Sequence, residues 1–356
     1  AIARLSKKRG YMLGIGVISS KEVGINHKEF GVTSTGVVKF AEITMREIGI
    51  DIRKDRFSVK FTGGTNGDVA GNAIRIVLDR CPKASIRLIL DGTAALYDPD
   101  GADHTELRRI LLKHDVDAFN PDRLHNGGYM LFKSNSRKSG VRELYRKVIK
   151  SGDRLQEEWV SIDEFSRQFG ELPFTVQADL FIPAGGRPET IDADNWRSFL
   201  LPDGSPSSRV LVEGANSFIT PEARLELQRM GVIIMRDASA NKCGVISSSY
   251  EIIANLLLSE EEFLANKSRY VSDVLEILEK RAEEEARIIL RRRREEPGML
   301  CTEISFALSS EINALYARLF GFFQGRPELC LQPPFRRALL AHLPRIFREE
   351  PVYRRR

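Results

Sequence analysis

The sequence predicts an α/β fold: a mostly parallel, doubly wound sheet followed by an α-helical C-terminal region. Three observations lead there. Short apolar strand patterns alternate with helical ones over the first two thirds of the 356 residues, the arrangement that lays helices over a parallel sheet. A glycine-rich turn joins one strand to the helix after it, at Thr62 to Gly67. From Ser259 onward the strand patterns stop and charges alternate along helical stretches.

The elements follow in chain order. Gly36 to Ile48 reads as a helix, because Val37, Phe40, Ala41, Thr44, Met45 and Ile48 recur at three- and four-residue steps. Thr33 and Ser34 are its expected N-cap. Phe57 to Phe61 is a strand ending at Thr62-Gly63-Gly64, and a helix runs from about Asp68 to Leu78, closed by Cys81-Pro82. Ile86 to Leu90 is a second strand, ending at Asp91. The polar stretch from about Asp117 to Leu172 is expected to be an irregular insertion, partly helical around Val141 to Lys150. Strands are expected at Ala178 to Ile182, Arg209 to Val212 and Val232 to Met235. The helix Pro221 to Met230 carries its proline near the start, a favoured place. Ser259 and Glu262 form a capping box that opens a helix to about Arg294, and Pro297-Gly298 stops it. A further helix spans about Thr302 to Phe323, and the Arg-rich tail after Pro333-Pro334 is helical again.

Composition narrows the classes. Apolar residues make up 42% and charged residues 29%, as in an ordinary globular chain rather than a disordered one. This length suggests about two domains and a core that needs neither disulfide nor metal. The net charge is +5, yet residues 291–356 hold 13 Arg and 7 Glu with no Lys or Asp, so that stretch alone carries +6. The rest is near neutral, and the basic balance does not make the whole chain a nucleic-acid binder. Cys81, Cys243, Cys301 and Cys330 form no C-x-x-C pair and match no zinc spacing; scattered thiols fit a reducing compartment, hence a cytoplasmic location. No apolar run reaches the ~18 residues of a membrane span, and no signal-peptide pattern opens the chain.

The strongest local signal is strand, glycine turn, helix, strand, acid: FSVKF, TGGTNGDVAGNAIRIVL, DRCPKAS, IRLILD. Glycines at 63, 64, 67 and 71 let the backbone turn tightly and let a pyrophosphate approach the main chain. The following helix aims its free N–H groups and partial positive charge at that anion. Gly64, Gly67, Asp68 and Val69 are therefore candidate cofactor contacts. Asp91 stands 24 residues after Gly67, where a carboxylate accepts from the adenosine ribose hydroxyls and repels a 2′-phosphate, favouring NAD over NADP. The glycine spacing departs from G-x-G-x-x-G, so the elements around it carry this Rossmann-like reading. A βαβ unit whose glycines serve only packing is the alternative.

Six blocks resemble the glutamate dehydrogenase family, in particular its large NAD-specific class: GINHKEFGVTSTGV (24–37), FTGGTNGDVAGN (61–72), LILDGTAALYDPDGAD (88–103), ADLFIPAGG (178–186), VEGANSFITPEA (212–223) and DASANKCGVISSSYE (237–251). They follow the family's order, and the tail from about residue 281 is similar to that class too. The resemblance implies cofactor contacts at Thr33, Asn216 and Asn241, and a glutamate-carboxylate contact at Ser248. It leaves Glu29 where small enzymes carry an Arg, and Ser34, Ser217 and Phe218 where they carry other residues. It also implies a catalytic Lys and Asp in a substrate domain that precedes the cofactor domain. No matching Lys motif occurs here; Pro183-Ala184-Gly185-Gly186-Arg187 carries Arg and falls after the glycine loop. The catalytic residues are thus expected upstream of residue 1, and no metal is expected. The expected organisation is an NAD-binding domain over 1–258 and a C-terminal helical region over 259–356.

The activity implied is NAD-dependent oxidative deamination of L-glutamate to 2-oxoglutarate and ammonium, in a homo-oligomer without membrane or nucleic-acid partners. Two alternatives stay open. One is dehydrogenation of another amino acid such as leucine. The other is a non-catalytic nucleotide- or nucleic-acid-binding module, suggested by the arginine runs at 291–294 and 354–356. The competing explanation of those runs is a helix face paired with nearby Glu residues.

Overall fold

The computed structural model describes residues 23–140 and 142–354. Nine strands form one sheet: β1 Phe57–Thr62, β2 Ala84–Leu90, β3 Ala94–Tyr97, β4 Tyr129–Ser139, β5 Arg142–Ser151, β6 Arg154–Ser161, β7 Leu180–Pro183, β8 Val210–Val212 and β9 Ile233–Met235. Their spatial order is β6-β5-β4-β3-β2-β1-β7-β8-β9. The run β2-β1-β7-β8-β9 is parallel, and β2 through β6 pair antiparallel. The chain leaves β1 toward β2 on one side and returns as β7 on the other. β1 is therefore the switch point, the place where open α/β sheets hold ligands beyond their strand ends. All six residues of β1 are buried, as a strand covered on both faces requires.

Seven helices matter below: α1 Val32–Met45, α2 Asp68–Arg80, α3 Ile162–Thr175, α4 Pro221–Arg229, α5 Cys243–Leu257, α6 Glu260–Glu295 and α7 Cys301–Phe323. The α6 capping box forms as expected: Ser259 Oγ accepts from the Glu262 N–H, and the Glu262 carboxylate accepts from the Ser259 N–H. Its apolar stripe, Val271, Val274, Leu278, Ala282, Ala286 and Ile289, is buried in the same core as α1 and the sheet. Charges are buried there as well. Lys39 on α1 lies 2.9 Å from Glu42 and 3.0 Å from Glu279 of α6, and Arg80 at the end of α2 meets Glu279 at 2.8 Å. One carboxylate of α6 thus ties together the helices before and after the glycine turn.

Two expectations are corrected. The stretch from Asp117 to Leu172 is not an irregular insertion, and residues 142–150 are not helical. β4, β5 and β6 extend the sheet, with turns at Gly140 and Gly152, whose φ values are +62° and +58°. Between those glycines Leu144, Tyr145, Val148 and Ile149 bear on both faces, and the β-branched pair favours a strand. Charged neighbours hid the alternation: Arg146 pairs with Glu157 across the ladder at 2.9 Å, and Arg137 stacks over Trp159. The charged, exposed strand β6 blunts the open edge. Second, α1 begins at Val32, and its N-cap is Gly31 at φ +65° with no side-chain cap. Thr33 and Ser34 sit inside the first turn instead. A short helix, His27–Phe30, precedes it and is capped by Asn26, so the left-handed Gly31 ends one helix and starts the next.

Lys60 of β1 is fully buried. Its Nζ donates to Pro173 O and Val176 O, both at 2.8 Å, and to Ser207 Oγ at 2.9 Å. The carbonyls belong to the C-terminal end of α3, where a cation is favoured. Burial holds the Lys60 pKa well below 10.5. Between that depressed value and 10.5 the unfolded chain binds the extra proton, so the Lys60 contribution to stability rises with pH and is lost as pH falls through the folded value. Urea unfolding from neutral pH up to 10.5 is expected to show the gap between wild type and Lys60→Met widening in favour of wild type as pH rises; a pH-independent gap contradicts the assignment.

Candidate functional site

The glycine turn is built from backbone packing. Gly63 follows β1 at φ +95°, and a Cβ there would lie 2.8 Å from the Ala70 Cβ and 2.8 Å from the Gly185 nitrogen. A Cβ on Gly64 would stand only 2.2 Å from Asp91 Oδ2, and one on Gly71 only 2.3 Å from Thr65 O. So β1, the loop after β7, the acid after β2 and the first turn of α2 converge within the width of one side chain. Gly67 is the N-cap of α2, and no side chain caps that helix. Its first N–H groups have no acceptor within the helix and carry the positive end of the helix dipole, the arrangement that receives an anion. The packing role of these glycines is compatible with an anion-binding one. Asp68 is exposed, and its carboxylate would repel an anion, so its useful group is the N–H.

Asp91 borders the same cleft, a volume of ≈ 510 Å³ that Thr62, Gly63, Gly64, Lys133 and Arg187 also line. Its carboxylate is already engaged. Oδ1 accepts from Thr93 N and Thr93 Oγ1, both at 2.7 Å, and from Ala94 N at 3.0 Å; Oδ2 accepts from Val116 N at 3.0 Å. Oδ1 is saturated, and the spare lone pair is on Oδ2, the atom beside Gly64. Sequence reasoning expected acceptance from both ribose hydroxyls; the geometry leaves acceptor capacity on one oxygen.

A second group of residues gathers at the other side of α2. Ser34 Oγ donates to Val69 O at 2.7 Å, and the Val69 side chain would lie 3.1 Å from a Cβ on Gly214. Asn241 Nδ2 donates to Asn216 Oδ1 at 2.7 Å and to Gly214 O at 3.2 Å. Thr33 Oγ1 would be 2.6 Å from a Cβ on Gly244, two residues into α5. Thr33, Val69, Asn216 and Asn241 are thus drawn together by segments about two hundred residues apart. Ser248 is exposed on α5, whereas its neighbour Ser247 is buried and lies 3.1 Å from His27 Nε2. Cys243 is buried against Gly36, and burial pushes its thiol up to about 12, which leaves it protonated and inert. The Asn216 loop is fastened by a buried ion pair: Glu213 accepts from Arg224 of α4 at 2.9 and 3.0 Å. Burial raises the Glu213 pKa, with Arg224 opposing it.

Sequence reasoning missed Lys133 and the position of Arg187. Arg187, discounted above as a false match, reaches the cleft from the loop after β7, and Lys133 reaches it from β4. Both are surface cations on long-range elements, which leave no local motif. Gly214 was legible only as part of the VEGAN block. Among the described residues no His, Cys, Asp or Glu cluster could hold a metal ion, and no helix is long and apolar enough to cross a membrane.

The family model for glutamate/leucine/phenylalanine/valine dehydrogenases matches residues 24–294. The chain belongs to that family. It is 32% identical over 330 residues to a probable NAD-specific glutamate dehydrogenase of Schizosaccharomyces pombe, covering 89% of this chain and 27% of that protein. It is 29% identical to the NAD-specific glutamate dehydrogenase of Neurospora crassa, covering 89% of this chain and 29% of that one. The chain therefore spans well under two thirds of these relatives. Among solved structures, the hetero-hexameric glutamate dehydrogenase of Thermus thermophilus superposes with a TM-score of 0.54 at 19% identity, covering 86% of this chain and 57% of that one. Glutamate dehydrogenase from Peptoniphilus asaccharolyticus gives 0.53 at 16%, covering 90% and 61%. These likenesses show the fold, the α/β architecture described above.

Within this dehydrogenase fold the glycines are not equivalent, and the difference is measurable. Gly71→Ala forces a methyl against the Thr65 carbonyl and is expected to cost ~1–3 kcal/mol in urea unfolding, the range for overpacking a tight contact. Gly92→Ala, where a Cβ meets nothing within 4 Å, is expected to stay within ~0.5 kcal/mol of wild type. Equal effects at the two positions would overturn the close-packed description of the turn.

Proposed function

We propose that this chain is the NAD-binding part of an NAD-dependent glutamate dehydrogenase, which converts L-glutamate and water to 2-oxoglutarate and ammonium. The observation that carries it is the uncapped N-terminus of α2 beside the side-chain-free turn at Gly63-Gly64, with Asp91 bordering the same cleft. The relatives named as NAD-specific glutamate dehydrogenases support the choice of cofactor and substrate. Gly64, Gly67 and the N–H groups of Asp68 and Val69 would take the diphosphate. Asp91 Oδ2 would accept from the adenosine ribose, and Thr33, Asn216 and Asn241 would hold the nicotinamide half. Ser248, exposed on α5, would meet the substrate carboxylate. When bound, NAD supplies the hydride acceptor; the chain's part is to bind and orient it. The proton-transferring Lys and Asp are assigned outside these 356 residues. We also carry as proposals the division into a cofactor-binding part, 1–258, and a helical part, 259–356, a homo-oligomeric state and a cytoplasmic location.

Calorimetric titration tests the cofactor assignment. NAD+ is expected to bind and NADP+ to bind at least tenfold more weakly, about 1.4 kcal/mol. Asp91→Ala is expected to weaken NAD+ and to narrow the ratio between the two dinucleotides. A loss of stability alone would lower both affinities together, so an unchanged ratio removes Asp91 from the ribose. A wild-type chain that binds no NAD+ sinks the proposal.

A second measurement concerns turnover. With glutamate and NAD+, the 356-residue chain alone is expected to give no NADH above background by absorbance. Appreciable NADH would contradict the assignment of the proton-transfer groups to another part of the polypeptide.

A further inference from the structure

One lysine is fastened to the glycine turn from outside it. The short helix His27–Phe30 carries Lys28, whose carbonyl accepts from Asn72 Nδ2 at 2.8 Å. Asn72 lies fully buried on α2, and the same Nδ2 donates to Asp68 O at 2.9 Å, in the first turn of that helix. Gly31, which ends the short helix, makes the close approach possible: a Cβ there would stand 2.8 Å from Asn72 Oδ1. The main chain of Lys28 is thus tied to the start of α2. Lys28 itself is exposed, and its Nζ donates to Asn66 Oδ1, within the turn, at 2.8 Å. Asn66 is a neutral partner. The neighbouring Glu29 faces Lys267 at 3.8 Å, whereas Lys39 on α1 and Arg80 on α2 each have a carboxylate of their own.

The turn says where that ammonium stands. Gly64 lies beside Asp91, and Val69 lies beside Ser34 and Gly214. Asn66 falls between them in the chain, so Lys28 meets the turn between the cleft of Asp91 and the cluster of Thr33, Asn216 and Asn241. A dinucleotide with its adenosine ribose at Asp91 and its other half at that cluster has its diphosphate over this middle part. The main chain offers limited charge there. Gly67 N–H is spent on Gly64 O at 2.9 Å, so Gly67 contributes room rather than a donor. Gly71 N–H is the first to find an acceptor along the helix, Gly67 O at 2.9 Å. The N–H groups of Asp68, Val69 and Ala70 remain, and the helix end carries about half a positive charge. A diphosphate brings two negative charges, and the exposed Asp68 carboxylate works against it. A full positive charge is what the turn lacks, and Lys28 holds one against it. An ammonium has three donors; one goes to Asn66, which leaves the others for phosphate oxygens.

We propose that Lys28 is a cofactor-binding residue: its ammonium, held by Asn66, donates to the diphosphate of the dinucleotide. This rests on the NAD-binding reading and adds to it a residue that the glycine motif does not contain. Calorimetric titration of the 356-residue chain tests it, with NAD+, NADP+ and ADP as ligands and adenosine as the probe without phosphate. Lys28→Gln is expected to weaken NAD+, NADP+ and ADP by about tenfold each, the loss of one hydrogen bond between charged groups. The ratio of the two dinucleotides is expected to stay as in wild type, unlike the effect of Asp91→Ala. Adenosine is expected to bind both chains alike. Lys28→Arg keeps the charge and is expected to remain within about threefold of wild type. Added salt is expected to weaken NAD+ binding more steeply in wild type than in Lys28→Gln. The thermal transition of Lys28→Gln is expected to match wild type, because the side chain is exposed. A Lys28→Gln chain that binds NAD+ as tightly as wild type overturns the proposal while the cofactor reading stands. So does an equal weakening of adenosine, which would mean a lost packing contact rather than a lost charge. A wild type that binds neither NAD+ nor ADP fails on the cofactor reading itself, and the role of Lys28 falls with it.

Discussion

The site depends on a turn with no room for a side chain. Where β1 ends, Gly63 and Gly64 bring three strand ends and a helix start closer than any Cβ allows. The consequence is chemical as well as geometric. What lines the cleft at that point is the main chain of Gly63 and Gly64, and the start of α2 that follows the turn has no side-chain cap. A larger residue would displace Asp91 and open the seam between β1 and the loop after β7. Packing therefore imposes glycine here, the same residue type that close approach of an anion to the main chain would require.

Buried polar groups and ion pairs fix the elements around that turn. Lys60 closes the C-terminal end of α3, Glu213 and Arg224 hold the Asn216 loop to α4, and Lys39, Glu42 and Glu279 join α1 to α6. The ion pairs among them lose hydration when buried, and the mutual attraction of their charges roughly offsets that loss; Lys60, which has no counter-ion, is held by hydrogen bonds. What they do in the fold is tie backbone segments distant in sequence to one another. The arginine run of α6 works at the surface in the same spirit: Arg292 meets Glu311, Arg294 meets Glu47 and Arg291 faces Glu295. Three of the four arginines of the run face a carboxylate in this way.

Strands and helices with a clear period were legible. β1, α2, β2, α4 and α6 lie within a few residues of their expected bounds, because apolar spacing, a proline near a helix start and a capping box are local signals. The edge strands β4 to β6 were not. Their faces carry Arg, Lys and Glu that pair across strands, and a strand stabilised by cross-strand charge looks polar and irregular one residue at a time. The start of α1 was misjudged for a related reason. It is buried on nearly every side from its first turn, so the apolar spacing that marks its later turns does not mark where it begins, and the left-handed Gly31 sets its beginning where a Thr-Ser pair suggested a cap.

The sequence by itself determined the glycine-turn half of the candidate site. Glycines needed for backbone approach, and an acid at the end of the next strand, are written within thirty residues of each other. Tertiary structure alone decided the rest. It saturated Asp91 Oδ1 with its own loop, brought Lys133 and Arg187 to the cleft, and turned Ser247 inward and Ser248 outward. Each of these depends on which distant segments arrive at one point in space, and contacts of that kind leave no mark in the local spacing of residues.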